Sequence, residues 1–422
     1  MTSAAKQSGR EAGAGNPGPL AGVRIIDMTT VVMGPYATQI LADYGADVIK
    51  VESPSGDVMR LAAPMRHRGM GAAFLQANRN KRSIVLDVKK PTARDALLRL
   101  CSTADIFVHN IRSAAMARAG LGEADVRAHN ERLIYVSLIG FGESGPYAGR
   151  PAYDDLIQGM SGIPALHARV AHEEPRYVPL TMVDRIMGVS ASQTMLAALV
   201  HRDRTGAGQA VDVPMFETMA QLVLGDHMGG RTFEPAIGEP GYPRLLASDR
   251  KPYRTSDGYI CVLIYNNKEW ETFFRAIGRS DQYAADPRLS DHAVRTAHYS
   301  EVYAIVAGIL KTRSTAEWEK LFADNDIPSA PLHDLDSLID DPHLAAVGFF
   351  QEMDHPTEGA IRLTGIPSRW SETQPEITRH PPSLGEHSVE VLREVGFSAV
   401  EVETMCAEGA TMDGRAASGG RR

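Results

Sequence analysis

The sequence predicts an α/β fold around a parallel sheet, and three observations lead there. Short β-branched runs alternate with helical stretches, the order expected of βαβ units. Proline and glycine fall where the first helix begins and ends, at Pro35 and Gly45. The same pattern then repeats further along the chain.

The first strand is expected over Val23–Asp27, followed by the turn Thr29-Thr-Val-Val-Met-Gly-Pro35 and a helix running to Tyr44. Asp47–Val51 reads as the second strand, Ser83–Asp87 as the third, Ile106–His109 as the fourth and Leu133–Ser137 as the fifth. Pro91 to Thr103 reads as a connecting helix. Sheets of this class bind ligands beyond the carboxyl ends of their strands. Glu52 ends the second strand, where a ribose-binding acid would sit. The turn after the first strand, however, holds only Gly34, so the dinucleotide fingerprint G-x-G-x-x-G is absent.

Bulk properties narrow the function. A chain of 422 residues is long enough for two domains. A net charge of −8 speaks against a nucleic-acid partner. The three cysteines, Cys101, Cys261 and Cys406, lie far apart, which argues against a disulfide framework or a CxxC metal site and suits a reducing, cytoplasmic setting. No apolar run reaches the roughly 18 residues a membrane span requires. Residues 1–19 and 408–422 read as flexible tails.

Charge is unevenly placed. Between Asp57 and Asp87 there is no acidic residue, yet Arg60, Arg66, Arg68, Arg79, Lys81 and Arg82 all fall there. That interval predicts a positive field suited to a polyanionic small ligand, extended by Lys89, Lys90, Arg112 and Arg118.

The stretch Pro179-Leu-Thr-Met-Val-Asp184 leads into a helix expected from Arg185 to about His201, with Ile186, Val189, Gln193, Leu196 and Val200 at three- and four-residue spacing. Thr205-Gly206 supplies the stop. Asp184 is expected at or near the N-cap, where backbone N–H groups and the helix dipole favour the anion. Most such residues are only caps. The apolar run before Asp184 and the small side chains after it, Gly188 and Ser190-Ala-Ser192, favour a partly buried, approachable carboxylate able to act as a nucleophile. A glycine-rich loop, Gly140-Phe-Gly-Glu-Ser-Gly-Pro146, follows the fifth strand, and Tyr153-Asp154 open a short helix.

Taken together, these stretches resemble the family III CoA-transferases. The matching pieces are Leu20-Ala-Gly-Val-Arg-Ile-Ile-Asp27, Gly34-Pro35, Ala46-Asp-Val-Ile-Lys-Val-Glu52, Ser55-Gly-Asp57, Asn80-Lys-Arg-Ser83, Asn110, Tyr153-Asp154, Gln158, Ser161-Gly162 and Asp184. Thr205-Gly-Ala-Gly-Gln209-Ala-Val-Asp212, Tyr253-Arg-Thr-Ser-Asp-Gly-Tyr259, Ile327-Pro328 and Leu384-Gly-Glu-His387 continue the match, which spans about residues 20–397. The resemblance implies a Rossmann-like large domain, a smaller α+β domain and two chains threaded as interlocked rings in a homodimer. It places Asp184 on the family's catalytic aspartate, which attacks an acyl-CoA thioester and passes through aspartyl anhydride and aspartyl-CoA intermediates. It carries CoA contacts to Val32, Leu86, Lys89, Asn110, Ile111, Arg112, Arg118, Tyr153 and Asp154. It also implies acyl-CoA and a small carboxylic acid as substrates, with no permanently bound cofactor and no metal.

Val32 stands where formyl-CoA transferase has glutamine, Ser53 where it has arginine, and its glycine-rich lid has no counterpart between Gly229 and Lys251. These departures speak against formate and oxalate as substrates. An α-methylacyl-CoA racemase of the same fold and a CoA-binding protein without turnover are the alternatives. The racemases carry histidine where this chain has Tyr153, a poor base near neutral pH.

The expected organisation is a large domain over 20–212, a linker over 213–248, a small domain over 249–333 and a return to the large domain over 334–407. In the small domain, Lys251–Ile264 reads as two strands about a Ser-Asp-Gly turn, with helices near Trp270–Gly278, Tyr299–Leu310 and Thr315–Asp324. Strands are expected near Phe349 and Ile361, and a last helix from Ser388 to Val395.

Overall fold

A computed structural model describes residues 18–415. The expected tails therefore lie outside the described residues up to 17 and from 416 onward. The chain divides into two compact units. Among the described residues, the first comprises 18–158, 178–219 and 343–415, and the second 159–177 and 220–342.

The first unit is built on six strands, β1 (Arg24–Met28), β2 (Asp47–Glu52), β3 (Lys81–Val85), β4 (Ile106–His109), β5 (Ile134–Ile139) and β6 (Ala210–Pro214). All neighbours are parallel and the spatial order is β3-β2-β1-β4-β5-β6. The order reverses between β1 and β4, so the crevice that such sheets use for ligands opens there. The five expected strands are present, each within about two residues of its expected bounds. β6 was not expected. Its five residues include the exposed Ala210 and Asp212 and end at Pro214, which suits an edge strand.

Helix α1 (Met33–Asp43) follows β1, and α2 (Pro91–Ser102) links β3 to β4. α3 (Asp154–Met160) precedes the long α4 (Met182–Thr205), which ends at Gly206 in the left-handed region. α4 buries Val183, Met187, Ala191, Met195 and Leu199. The expected stripe is therefore a different face, on which Val189 and Val200 are 41% and 50% exposed. Gly188 answers the expectation of close approach through packing. A Cβ there would meet the Tyr36 ring at 2.7 Å and the Met33 carbonyl oxygen at 3.1 Å, both on α1. The Tyr36 ring and the backbone of α1 are what come close.

The stretch expected as linker contains α5 (Met215–His227). The second unit holds a three-stranded antiparallel sheet of β7 (Tyr253–Arg254), β8 (Tyr259–Val262) and β9 (Ser329–Pro331). Helices α6 (Asn267–Ala276), α7 (Tyr299–Leu310) and α8 (Thr315–Asp324) accompany it, and Trp270, Phe273, Phe274, Trp318 and Phe322 form its core. In the first unit, β10 (Phe350–His355) and β11 (Gly359–Thr364) make an antiparallel hairpin, and α9 (Ser388–Glu394) follows. Residues 408–415, expected as tail, instead pack on β3. Ala410 is fully buried, its carbonyl accepts the Asp87 N–H at 2.9 Å, and the Thr411 hydroxyl donates to the Val85 carbonyl at 2.7 Å. Among the described residues no helix is long and apolar enough to cross a membrane.

The basic interval does not form the expected field. Arg60 is buried and pairs with Glu52 at 2.6 Å, Arg79 with Asp43 at 2.7 Å and Lys81 with Asp27 at 3.1 Å. Arg82 pairs with Asp47 at 2.7 Å and with Glu390 at 3.1 Å. Their acidic partners lie outside the interval, on neighbouring strands and helices. Only Arg66 and Arg68 of the six are exposed.

Candidate active site

A cavity of about 330 Å³ opens at the switch point of the sheet. Thr30, Val31 and Met33 come to it from the turn after β1, and Asn110, Ile111 and Arg112 from the end of β4. Leu138 to Phe141 leave β5 into it, and Arg150 to Tyr153 form another wall. Asp184 reaches it from α4. A larger cavity of about 500 Å³ lies within the second unit, but no carboxylate lines it.

Local structure explains each wall. Gly140 lets the loop after β5 fold back, since a Cβ there would lie 2.3 Å from that of Ala152. Phe141 packs edge-on against Tyr147 and near Phe216 of α5, with ring centroids 5.4 and 5.8 Å away. The Asn110 amide clamps the turn after β1, accepting the Thr30 N–H at 3.1 Å and donating to the Thr30 carbonyl at 2.8 Å.

Asp184 is not the N-cap. α4 begins at Met182, with Thr181 as cap and no side-chain capping bond, so Asp184 is the third helical residue. The missing cap comes from Asp154, thirty positions upstream, whose Oδ2 accepts the Asp184 N–H at 2.9 Å. The Gln158 side chain donates to the other Asp154 oxygen at 2.6 Å and accepts the Val178 N–H at 2.9 Å. Asp154 and Gln158, one turn apart on α3, thus hold the start of α4 in place. The residues before Asp184 are loop and first helical turn.

The electrostatics of Asp184 follow from this arrangement. The residue is 8% exposed. Burial pushes its carboxyl up to about 6, the Asp154 charge adds to the rise, and Arg185 opposes it. The Arg185 guanidinium lies 4.5 Å from the centroid of the Tyr36 ring. Above about pH 6 the Asp184 carboxylate is ionised but poorly solvated, a state in which it is more basic and more nucleophilic than an exposed aspartate.

Of the residues expected at the site, Asn110, Ile111, Arg112, Tyr153 and Asp184 line the cavity. Asp154 sits behind it on Asp184. Val32 is buried as the N-cap of α1, between two lining residues. Leu86 is buried in the apolar cluster against which Ile111 packs. Lys89 and Arg118 are exposed and do not line the cavity. Thr30, Val31, Met33 and the loop around Arg150 line it without having been singled out. Their signals were the turn after the first strand and the loop after the fifth, where this sheet class places ligands. Among the described residues, no three His, Cys, Asp or Glu side chains are grouped as a metal ion would need.

Comparison with known proteins agrees with the fold. The chain is 31% identical to a probable fatty acyl-CoA transferase of Mycobacterium tuberculosis, over 88% of this chain and 96% of the relative. It is 31% identical to a succinate–glutarate CoA-transferase of Agrobacterium fabrum, over 89% and 96%. It is 30% identical to a formyl-CoA:oxalate CoA-transferase of Escherichia coli, over 92% and 98%. A crystal structure of the Mycobacterium tuberculosis protein matches with a TM-score of 0.76, covering 89% of this chain and 99% of that one. A CAIB/BAIF family protein from Brucella suis matches with a TM-score of 0.75 at 28% identity, covering 90% and 99%. The family model described as CoA-transferase family III matches residues 20–388, and the chain belongs to that family.

Proposed function

We propose that this CoA-transferase works by covalent catalysis on Asp184, with coenzyme A thioesters and a small carboxylic acid as its substrates and no permanently bound cofactor. The Asp184 carboxylate attacks the thioester carbonyl, forming an acyl–aspartyl anhydride as CoA thiolate leaves. The thiolate then attacks the aspartyl carbonyl, giving an aspartyl-CoA thioester and releasing the donor acid. The acceptor carboxylate attacks that thioester, and the freed thiolate takes the acceptor acyl group and restores Asp184. Each step exchanges one acyl bond for another, so no water, metal or redox partner enters the balance.

The observation that carries this reading is the position and state of Asp184. It is a buried carboxylate in the switch-point crevice, with its carboxyl raised to about 6. Asn110, Ile111, Arg112 and Tyr153 are assigned to CoA contact at the same crevice. Arg112 and Arg150 supply positive charge there for an anionic acyl-CoA.

The working form is assigned as an interlocked homodimer. Val189 and Val200 on α4, and Leu156 and Met160 on α3, leave 41–50% of their apolar surface uncovered in the single chain. A second copy offers a cover for such surface. The relatives' names span fatty acyl, succinyl, glutarate, formyl and oxalate groups. The test therefore starts from those donors and acceptors, with CoA exchange read by mass spectrometry. Exchange between a donor and an acid establishes the reaction. Solvent deuterium entering the α-carbon of a methylacyl-CoA, lost in Tyr153→Phe, would instead indicate a racemase.

A further inference from the structure

The wall of the cavity formed by the turn after β1 is held almost entirely by side chains. From Thr29 to Val31, five successive backbone groups find side-chain partners. The Thr29 N–H donates to Asp27 Oδ1 at 2.9 Å, and the Thr29 carbonyl accepts from Lys50 Nζ at 2.9 Å. Asn110 takes both polar groups of Thr30. The Val31 N–H donates to Asp57 Oδ1 at 3.2 Å. Lys50 and Asp57 join each other at 3.0 Å, and both side chains are fully buried.

Val31 shows what this clasp does. Its φ is +73°, in the left-handed region, where a β-branched residue is a genuine outlier. Such strain persists only where surrounding bonds over-determine the backbone, and it gathers at functional sites. Val31 lines the same cavity as Asp184. Lys50 and Asp57 lie outside that lining.

We infer that Lys50 and Asp57 are positioning residues for CoA transfer, holding Val31 in its left-handed conformation so that the wall facing Asp184 keeps its shape. The inference rests on the covalent reading above only in taking the Asp184 cavity as the reaction site. Asp57 also accepts the Met59 N–H at 3.0 Å, and its own N–H donates to Glu52 at 3.0 Å, so the clasp is anchored to β2.

The test is a double-mutant cycle with Asp57→Asn and Val31→Gly. Glycine adopts positive φ without the Cβ cost, so it removes the need for the clasp. Asp57→Asn in the native background is expected to lower kcat by about 100-fold, the scale on which small misplacements act. KM for the acyl-CoA should change far less. In the Val31→Gly background the same Asp57→Asn change should cost only a few-fold. An Asp57→Asn variant with undiminished kcat, or one whose loss is as large in the Val31→Gly background, would overturn the inference. If Asp57→Asn does not fold, the melting temperatures of Val31→Gly and Val31→Ala decide. The glycine variant should melt higher, and the reverse order would show that no left-handed strain is held there. Labelling of Asp184 by acyl-CoA in native protein reads the covalent mechanism separately, so either idea can fail alone.

Discussion

Two groups of buried carboxylates flank the turn after β1, and they behave in opposite ways. On the sheet side, Asp27, Glu52 and Asp57 each contact a buried cation. Burial would push Asp27 up, but Lys81 and Lys50 overcome it and hold the carboxyl at about 2. Burial likewise acts against the Glu52 charge, yet Arg60 keeps it below the usual carboxylate range. On the cavity side, burial raises the Asp184 carboxyl to about 6 and the charge of Asp154, which accepts its backbone N–H, adds to the rise. The same residue type at similar burial is a structural ion in one place and a reactive group in the other. Burial raises both, and the neighbouring charges decide whether that rise is overcome.

That comparison breaks most sharply at Asp184. Asp184→Asn is expected to lower CoA transfer by about 10⁴-fold or more, the scale seen when a nucleophile is lost. The same change should stabilise the fold at pH 8. A carboxyl raised from 3.8 to about 6 binds an extra proton in the native state between those values, so stability falls as pH rises through that window. The cost is fully present above about pH 6 and absent below about pH 4. Removing it should contribute about 1–3 kcal/mol, read as a higher urea midpoint at pH 8 and a vanishing difference at pH 4. A variant that loses stability at pH 8 would place Asp184 with the structural carboxylates.

The opposite behaviour is expected across the turn. Lys81→Met removes the cation that Asp27 contacts, leaving only Lys50 nearby, and should cost up to about 3–5 kcal/mol. Adding Asp27→Asn to that variant should recover much of the loss, since the under-compensated charge is then gone. Equal midpoints for the single and double variants would show that Asp27 is not held by charge.

The smallest effect sharpens the comparison. Asp154→Asn removes the negative neighbour of Asp184, so the acid limb of kcat/KM should move to lower pH. Burial remains the larger cause of the rise, so the limb should stay above the ordinary carboxylate range. An acid limb that does not move would mean that Asp154 acts only as the cap of α4.

Much of the fold was legible because its signals are local. The bounds of Ile106–His109, Tyr299–Leu310 and Thr315–Asp324 were read directly from the residues and match. What could not be read depends on topology. Arg82 finds Asp47 across parallel strands and Glu390 about three hundred residues away, so its run of positive charge resembles a ligand field until the sheet is assembled. The cap of α4 comes from Asp154 on another helix, which is why Asp184 resembled its own cap. Asp184 itself was legible as a candidate, because a carboxylate opening a helix behind an apolar run invites burial. The size of the rise was not, because no local pattern gives the depth of burial, the larger cause, or brings in the charge of Asp154 from thirty positions away.

If Asp184 carries the acyl group and then CoA, both intermediates are open to capture. Native protein incubated with an acyl-CoA and quenched with hydroxylamine should yield a hydroxamate, located by peptide mass spectrometry. That modification is expected at Asp184, dependent on acyl-CoA and accumulating within one turnover. An unmodified Asp184 in protein that is actively transferring CoA, or a hydroxamate on a different carboxylate, would contradict it.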